Sequence, residues 1–251
     1  MESWKAVAVR DGSLPESGYE INTAPAGGYL FSKQIKQICE AVRAADGYAN
    51  DTCGLHIHVD CQDFQYYDIR KVIKLYAKLE KPLFSIVGQE RQLSRFSKPC
   101  GDIFKDIIDI RTPKKWEEAL LTNLYGSVDE AKRLGREKYV NSRYHALNLH
   151  SWIFRGTIEF RHHHGTTNFV TITNWGILCA ALIDVAFKTT EEFIDRLPVP
   201  DTKERQLELL KIVAPTEDNK KWVEERFLLF SKTKSEKDFI PSNGSGFSIS
   251  F

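Results

Sequence analysis

Two six-residue stretches, Leu55-His56-Ile57-His58-Val59-Asp60 and Thr157-Ile158-Glu159-Phe160-Arg161-His162, alternate apolar and polar residues with a period of two. Successive side chains of an extended backbone point to opposite sides, so this is the pattern of a strand with one buried face. Any fold open to the chain must therefore hold a sheet with an apolar side packed on a core. The other side then presents His56, His58 and Asp60 from one strand, and Glu159 and Arg161 from the second.

The segments around these strands give the rest of the expected architecture. Val7 to Arg10 is a short strand running into the turn signal Asp11-Gly12-Ser13, and Tyr19 to Thr23 resumes extended character before Pro25 and Gly27-Gly28, a hairpin-like entry. Ser32 is placed to cap a helix in which Ile35, Ile38, Cys39 and Val42 recur at helical spacing, with Gly47 just past its end. Asp68 to Val87 reads as a long helix bent or broken near Pro82, and Lys114 to Arg136 as a helical region interrupted near Gly126-Ser127. Tyr144 to His150 and Thr157 to His162, joined by a short link containing Gly156, read as neighbouring antiparallel strands.

Thr171 to Phe187 is apolar nearly all round, as a helix deep in a core would be. From about Asp201 two charged amphipathic helices follow, around Leu207 to Val213 and Trp222 to Phe230, and Ser242-Asn243-Gly244-Ser245-Gly246 is expected to be a flexible tail. Strands and helices alternate without the rhythm of a parallel barrel. The expected fold is α+β, a mostly antiparallel sheet flanked by helices, with one domain over residues 1–200 and a helical extension over 201–251.

With 35 basic against 34 acidic residues, the formal net charge of +1 gives no overall field to recruit nucleic acid or an anionic membrane. Any anionic ligand must be caught locally. The first residues lack a basic stretch followed by an apolar one, and Trp175 to Phe187 is interrupted by Asp184 and short for a membrane span, so a soluble, unexported protein is expected. Five cysteines, Cys39, Cys53, Cys61, Cys100 and Cys179, form no Cys-x-x-Cys pair and fit reduced thiols in a cytoplasm. A zinc site from Cys53, Cys61, His56 and His58 would crowd most of its ligands onto one short strand and its exit, whereas structural zinc normally draws on two separated pairs.

Each chemical group also has a plain reading. Exposed or hydrogen-bonded histidines account for His56-x-His58 as well as a metal does, and Glu159-x-Arg161 alone fits a solvated cross-strand ion pair. A carboxylate beside a guanidinium can equally hold a hard divalent cation while the arginine grips phosphate. Glu20, alternating with Asn22, reads alone as an ordinary strand glutamate. His162-His163-His164 reads as surface imidazoles at a strand end, one of which could approach the site, and Arg91 and Arg95 as solvated ion pairs or anion binders. Trp152, Phe154, Phe160 and Trp175 read as core or hairpin packing.

Taken together and in order, these pieces closely resemble one family. Asp11-Gly12-Ser13-Leu14, Gly18-Tyr19-Glu20-Ile21, Cys53-Gly54-Leu55-His56-Ile57-His58-Val59, Arg143-Tyr144 with Leu147-Asn148-Leu149, and Thr157-Ile158-Glu159-Phe160-Arg161 are similar to the motifs of the amidoligases. Glu80 and the Arg91, Arg95, Cys100 group look like that family's middle region, so the resemblance spans roughly residues 5 to 185. Its wider superfamily includes glutamine synthetase and glutamate-cysteine ligase. The resemblance implies a glutamine synthetase catalytic-domain-like fold and an enzyme that joins a carboxylate to an amine at the expense of ATP, through an acyl phosphate. It implies Glu20, His56 and Glu159 as ligands of Mg or Mn near the ATP phosphates, and Arg161 on the transferring phosphoryl group. His58 and Asn148 are implied as substrate or supporting contacts, Arg91 and Arg95 as further nucleotide contacts, and the loops from Arg91 to Gly101 as a cover against water.

Family members normally begin with a further strand carrying paired glutamates in a Gly-x-Glu-x-Glu pattern, several dozen residues before the Asp-Gly-Ser turn. Here that turn lies at Asp11 to Ser13. The expectation is that an upstream segment or another subunit supplies half of the acidic cradle, or that the protein is a relative that no longer turns over. Homo-oligomerisation or a partner subunit would relieve the unpaired sheet edge. The substrates expected are a small-molecule or peptide carboxylate and an amine. The competing readings are a noncatalytic binding or scaffold protein, and a metallohydrolase on His56-x-His58, whose further His or Asp ligands do not recur in the needed rhythm.

Overall fold

The computed structural model describes residues 6–10, 12, 14, 18–50, 52–232 and 247–250. In chain order its elements are β1 (Val7–Arg10), β2 (Tyr19–Asn22), α1 (Gly28–Ala44), β3 (Gly54–Asp60), α2 (Tyr66–Ser85), α3 (Gly101–Phe104), α4 (Pro113–Tyr125) and α5 (Val128–Leu134). Then follow β4 (Leu147–Asn148), α6 (His150–Arg155), β5 (Thr157–His164), α7 (Phe169–Lys188), α8 (Glu191–Arg196), α9 (Lys203–Val213), α10 (Glu217–Lys232) and β6 (Phe247–Ser250). Asp11 and Ser13 of the first turn, and residues 242–246, lie outside the described residues.

The α+β class is as the sequence indicates. The strands form one sheet in the order β1-β2-β6-β3-β5-β4. The β1–β2, β3–β5 and β4–β5 pairs are antiparallel, and β6 runs parallel to both of its neighbours. Within the described residues β2 and β3 share no ladder, so β6 is what joins the first hairpin to the rest of the sheet.

One face of the β3–β5 pair carries Leu55, Ile57, Ile158 and Phe160, all buried, and helices α2 and α7 cover it with Tyr76, Phe84 and Trp175. Helices α9 and α10 add Leu209, Leu210, Val213, Trp222 and Val223 to that same core. The β1–β2 hairpin rests on α1 through Ile21, Ile38 and Val42. By length and composition α7 could cross a membrane; it is 61% buried inside the protein, packed on α1, α2, β3, α9 and α10, which accounts for its all-round apolarity.

Three local expectations change and one holds. Helix α1 starts at Gly28 behind an extended Gly27, so Ser32 lies inside it and caps nothing; the earlier start brings the Phe31 ring onto Gly176 of α7, where a Cβ would come within 2.6 Å of it. Helix α2 runs unbroken through Pro82 to Ser85; the proline falls in its last turn, where it removes one i→i−4 hydrogen bond and little helix follows for it to kink. The stretch from Tyr144 to His150 is extended only at Leu147–Asn148, and His150–Arg155 is a short helix that Gly156 ends at φ 77°. The interruption near Gly126-Ser127 is as expected, with Gly126 left-handed at φ 88° and the Ser127 side chain accepting from Glu130 N–H.

Candidate active site

The central pair β3–β5 builds the site at a defect in its ladder. Leu55 pairs with His163 and Ile57 with Phe160, so His56 alone on β3 faces two residues of β5, Arg161 and His162. Such a bulge re-aims side chains. The side chains of Glu159 and Arg161 share a buried polar pocket with His56, while His162 lies against Tyr76, Phe84 and Trp175 in the core. Gly54 serves the same spot: a Cβ there would meet His56 Nε2 at 2.9 Å, so glycine lets the imidazole lie back along its own strand.

Glu159, 5% exposed, is the centre of the cluster. Its Oε1 accepts from Arg161 Nη1 at 2.5 Å and lies 3.3 Å from His56 Nδ1 and 3.7 Å from His58 Nε2, while Oε2 accepts from Asn148 Nδ2 at 2.5 Å. Burial by itself raises a carboxyl pKa. Here the Arg161 guanidinium, the two imidazoles and the Asn148 amide together outweigh it and hold Glu159 well below the usual carboxylate range. Burial, then Arg161, pushes His56 well below the ordinary imidazole value, and burial lowers His58 as well. At neutral pH the cluster is one carboxylate, one guanidinium and two neutral imidazoles.

Arg161 is fixed from several sides. Its N–H donates to Ala146 O at 2.8 Å and its Nε to Phe96 O at 2.9 Å, so Nη2 is the guanidinium nitrogen left without a protein partner among the described residues. The bulge itself is clamped by Arg91, whose Nε and Nη2 donate to the carbonyls of His162 (2.9 Å) and Arg161 (3.0 Å). The loop carrying Arg91 and Phe96 is tied down where Lys98 N–H donates to Tyr144 O and Ala146 N–H to Lys98 O. Glu80 fastens its far end by accepting from Cys100 N–H and from Tyr76 OH. Beyond Glu159, His58 Nδ1 lies 2.9 Å from Thr157 Oγ1, which is 2.9 Å from Ser151 Oγ.

These groups line an open cleft of about 1090 Å³ that also takes in Glu20, Asp60, Arg91, Lys138, Arg143 and Arg155. Glu20 is in register with Ser248, and His56 with Ser250, so the two backbones stand two strands and two residues apart, on the order of 12 Å. The expected trio therefore divides: His56 and Glu159 are in contact, and Glu20 faces the same cleft from β2. Among the described residues no three His, Cys, Asp or Glu side chains converge as one metal sphere. What fits is a two-ligand site, since a nitrogen and an oxygen 3.3 Å apart can bind neighbouring positions of an octahedral cation whose other positions go to phosphate and water.

Arg91 lines the cleft but spends two donors on the bulge, and Arg95 is exposed, stacked on Phe96, and not among the lining residues. His162, His163 and His164 are buried, not surface groups, because β5 continues three residues past Arg161 between covered faces. Phe160 and Trp175 are core as expected, whereas Phe154 stands exposed on the cleft rim. The zinc alternative has no geometry behind it: among the described residues no three of Cys53, Cys61, His56 and His58 come together as one metal sphere. Ser151 and the cations Lys138, Arg143 and Arg155 join the site without a periodic signal of their own, whereas Thr157 stands two residues before Glu159 on the same strand face.

Comparison with curated proteins and with solved structures gives no match. A family model described as "Putative amidoligase enzyme" matches residues 6–183, which contain every strand and side chain of the site except β6. The chain belongs to that amidoligase family.

Proposed function

We propose that this protein is an ATP-dependent carboxylate–amine ligase working through an acyl phosphate, on an α+β domain of the glutamine synthetase catalytic type. The observation that carries the reading is the ionised, buried Glu159 holding Arg161 at the cleft floor with Nη2 turned to no protein group. A carboxylate oxygen of the acid bonds to the γ-phosphorus of ATP as the bond to ADP breaks; the amine nitrogen then bonds to the acyl carbon as phosphate leaves. Arg161 donates to the transferring phosphoryl oxygens, and the carboxylate of Glu159 and the carbonyl of Phe96 keep its fork in place. His56 and Glu159, with Glu20 facing the same cleft, would hold a Mg or Mn ion, which would add to the neutralisation of phosphate charge.

His58 is suited to take the proton the amine loses. With Nδ1–H donating to Thr157 Oγ1, its Nε2 carries the lone pair, and its lowered pKa keeps it neutral at pH 7. Asn148 orients Glu159 and so acts one contact away from the substrate. Five buried cysteines, none in a disulfide, fit a cytoplasmic location. The test is release of ADP and phosphate with Mg across a panel of acids and amines. Release should require an acid, and Arg161→Lys should lower it roughly 100-fold or more; ATP turnover indifferent to acid and amine, or amide formed without ATP, would reject the mechanism.

The second reading, a noncatalytic binding protein on the same fold, is favoured by one observation: Arg161 already occupies the oxygen of Glu159 that a cation would use. Calorimetry with Mg-ATP separates the two, since the ligase must bind it and a degenerate site should not.

A further inference from the structure

Beyond His58, the cleft ends in three cations, Lys138, Arg143 and Arg155. None makes an ion pair among the described residues; Arg143 has only a long hydrogen bond, 3.4 Å, to Lys138 O. Some surface cations are neutralised by a carboxylate, Lys132 by Asp129, Lys188 by Asp184 and Arg205 by Asp201, and others, such as Lys33 and Lys115, stand alone among the described residues; the three at the cleft differ in being gathered at one mouth. Here aromatic faces take the place of carboxylates. Arg143 lies 5.2 Å from the Tyr139 ring and 5.4 Å from that of Tyr144, Lys138 Nζ 5.1 Å from Tyr139, and Arg155 5.5 Å from Phe154. Stacking of this kind orients a guanidinium fork and leaves its charge intact. Tyr139, at 71% exposure, is held out in solvent as part of the rim.

Three unneutralised like charges at one mouth repel each other, and an anion relieves that cost. The cleft thus has two cationic poles separated by Glu159, with Arg161 at the His56 end and this rim at the His58 end. The first suits the transferring phosphate, which leaves the second for the acid.

We propose that the acid joined by this protein carries one or more carboxylates beyond the one that reacts, and that Lys138, Arg143 and Arg155 hold them. This rests on the ligase reading above. Titration calorimetry on the full chain would compare tri-glutamate peptide, neutral tri-glutamine, inorganic triphosphate and Mg-ATP, with wild type and the Arg143→Gln/Arg155→Gln variant, whose fold is checked by circular dichroism. The expected result is binding of tri-glutamate and not tri-glutamine, weakened at least tenfold in the variant while Mg-ATP affinity is unchanged. Tri-glutamate that fails to bind, or that binds the variant equally well, overturns the inference while Mg-ATP binding leaves the ligase reading standing. A variant that loses triphosphate and Mg-ATP along with tri-glutamate assigns the rim to the nucleotide and overturns the inference too. Wild type that binds no Mg-ATP at all rejects the ligase reading itself.

Discussion

Glu159 is a buried charge whose four close partners all come from other positions of the sheet and its flanks, so the site stands or falls with small contacts. Asn148 is the least obvious of them. Its Nδ2 donates to Glu159 Oε2 while its Oδ1 accepts from Ser151 N–H at 3.3 Å, joining β4, β5 and α6 through one amide. Asn148→Ala should leave a carboxylate oxygen dry and cost about 1–3 kcal/mol. Asn148→Asp sets a second negative charge against the first and should cost more. Urea denaturation at pH 7 checks both, and an Ala variant as stable as wild type would remove Asn148 from the network. His56, Glu159 and Arg161 were legible in the sequence because period two places them on the polar face of a strand. Ser151 was not, because its contact with His58 exists only once α6 folds back over the β3–β5 pair.

That return is made at Gly156. Its φ of 77° belongs to the left-handed region, and a Cβ there would meet Gln62 Cγ at 2.5 Å. Gly156→Ala should therefore destabilise by roughly 1–3 kcal/mol and also loosen Ser151 and Thr157 on either side. A shift in urea midpoint measures the first effect, and a neutral substitution would contradict the turn. The sequence marks Gly156 as a link but not what precedes it. His150–Arg155 is rich in residues that suit a strand, and the tertiary fold makes it a helix, since β4 ends where its neighbour β5 begins the return. Strand β6 carries a second consequence. Among the described residues it alone ladders β2 to β3, so removing residues 247–251 should raise amide hydrogen exchange in β1 and β2 while β3, β5 and β4 keep their protection. Unchanged exchange in the hairpin would mean that α1 alone holds it, through Ile21, Ile38 and Val42.

Acid should act on the molecule as a unit, because the histidines it must charge lie at the junction of α2, β5, α7 and α10. Burial holds His162 and His164 at about 3, against an ordinary 6.5, and pushes His163 well down too. Between those values the unfolded chain binds protons that the folded chain refuses, so stability is full above about pH 6.5 and falls as pH drops toward 3. The slope is ~1.4 kcal/mol per pH unit for each such group. Glu159, depressed in the fold, adds to the loss only below the unfolded carboxylate value of 4.5. Urea midpoints at pH 7.5, 6 and 5 should descend; a flat series would show the three imidazoles to be hydrated. Sequence alone determined the strand faces, the amphipathic helices, the core helix α7 and the polar side chains of β3 and β5 that meet in the cleft, because those follow from periodicity and side-chain chemistry within one segment. Only the tertiary structure decided the bulge opposite His56, the burial of the three histidines, the distance of Glu20 from His56 and the cationic rim. Each depends on which strands become neighbours and in what register, and long-range pairing leaves no periodic mark on the chain.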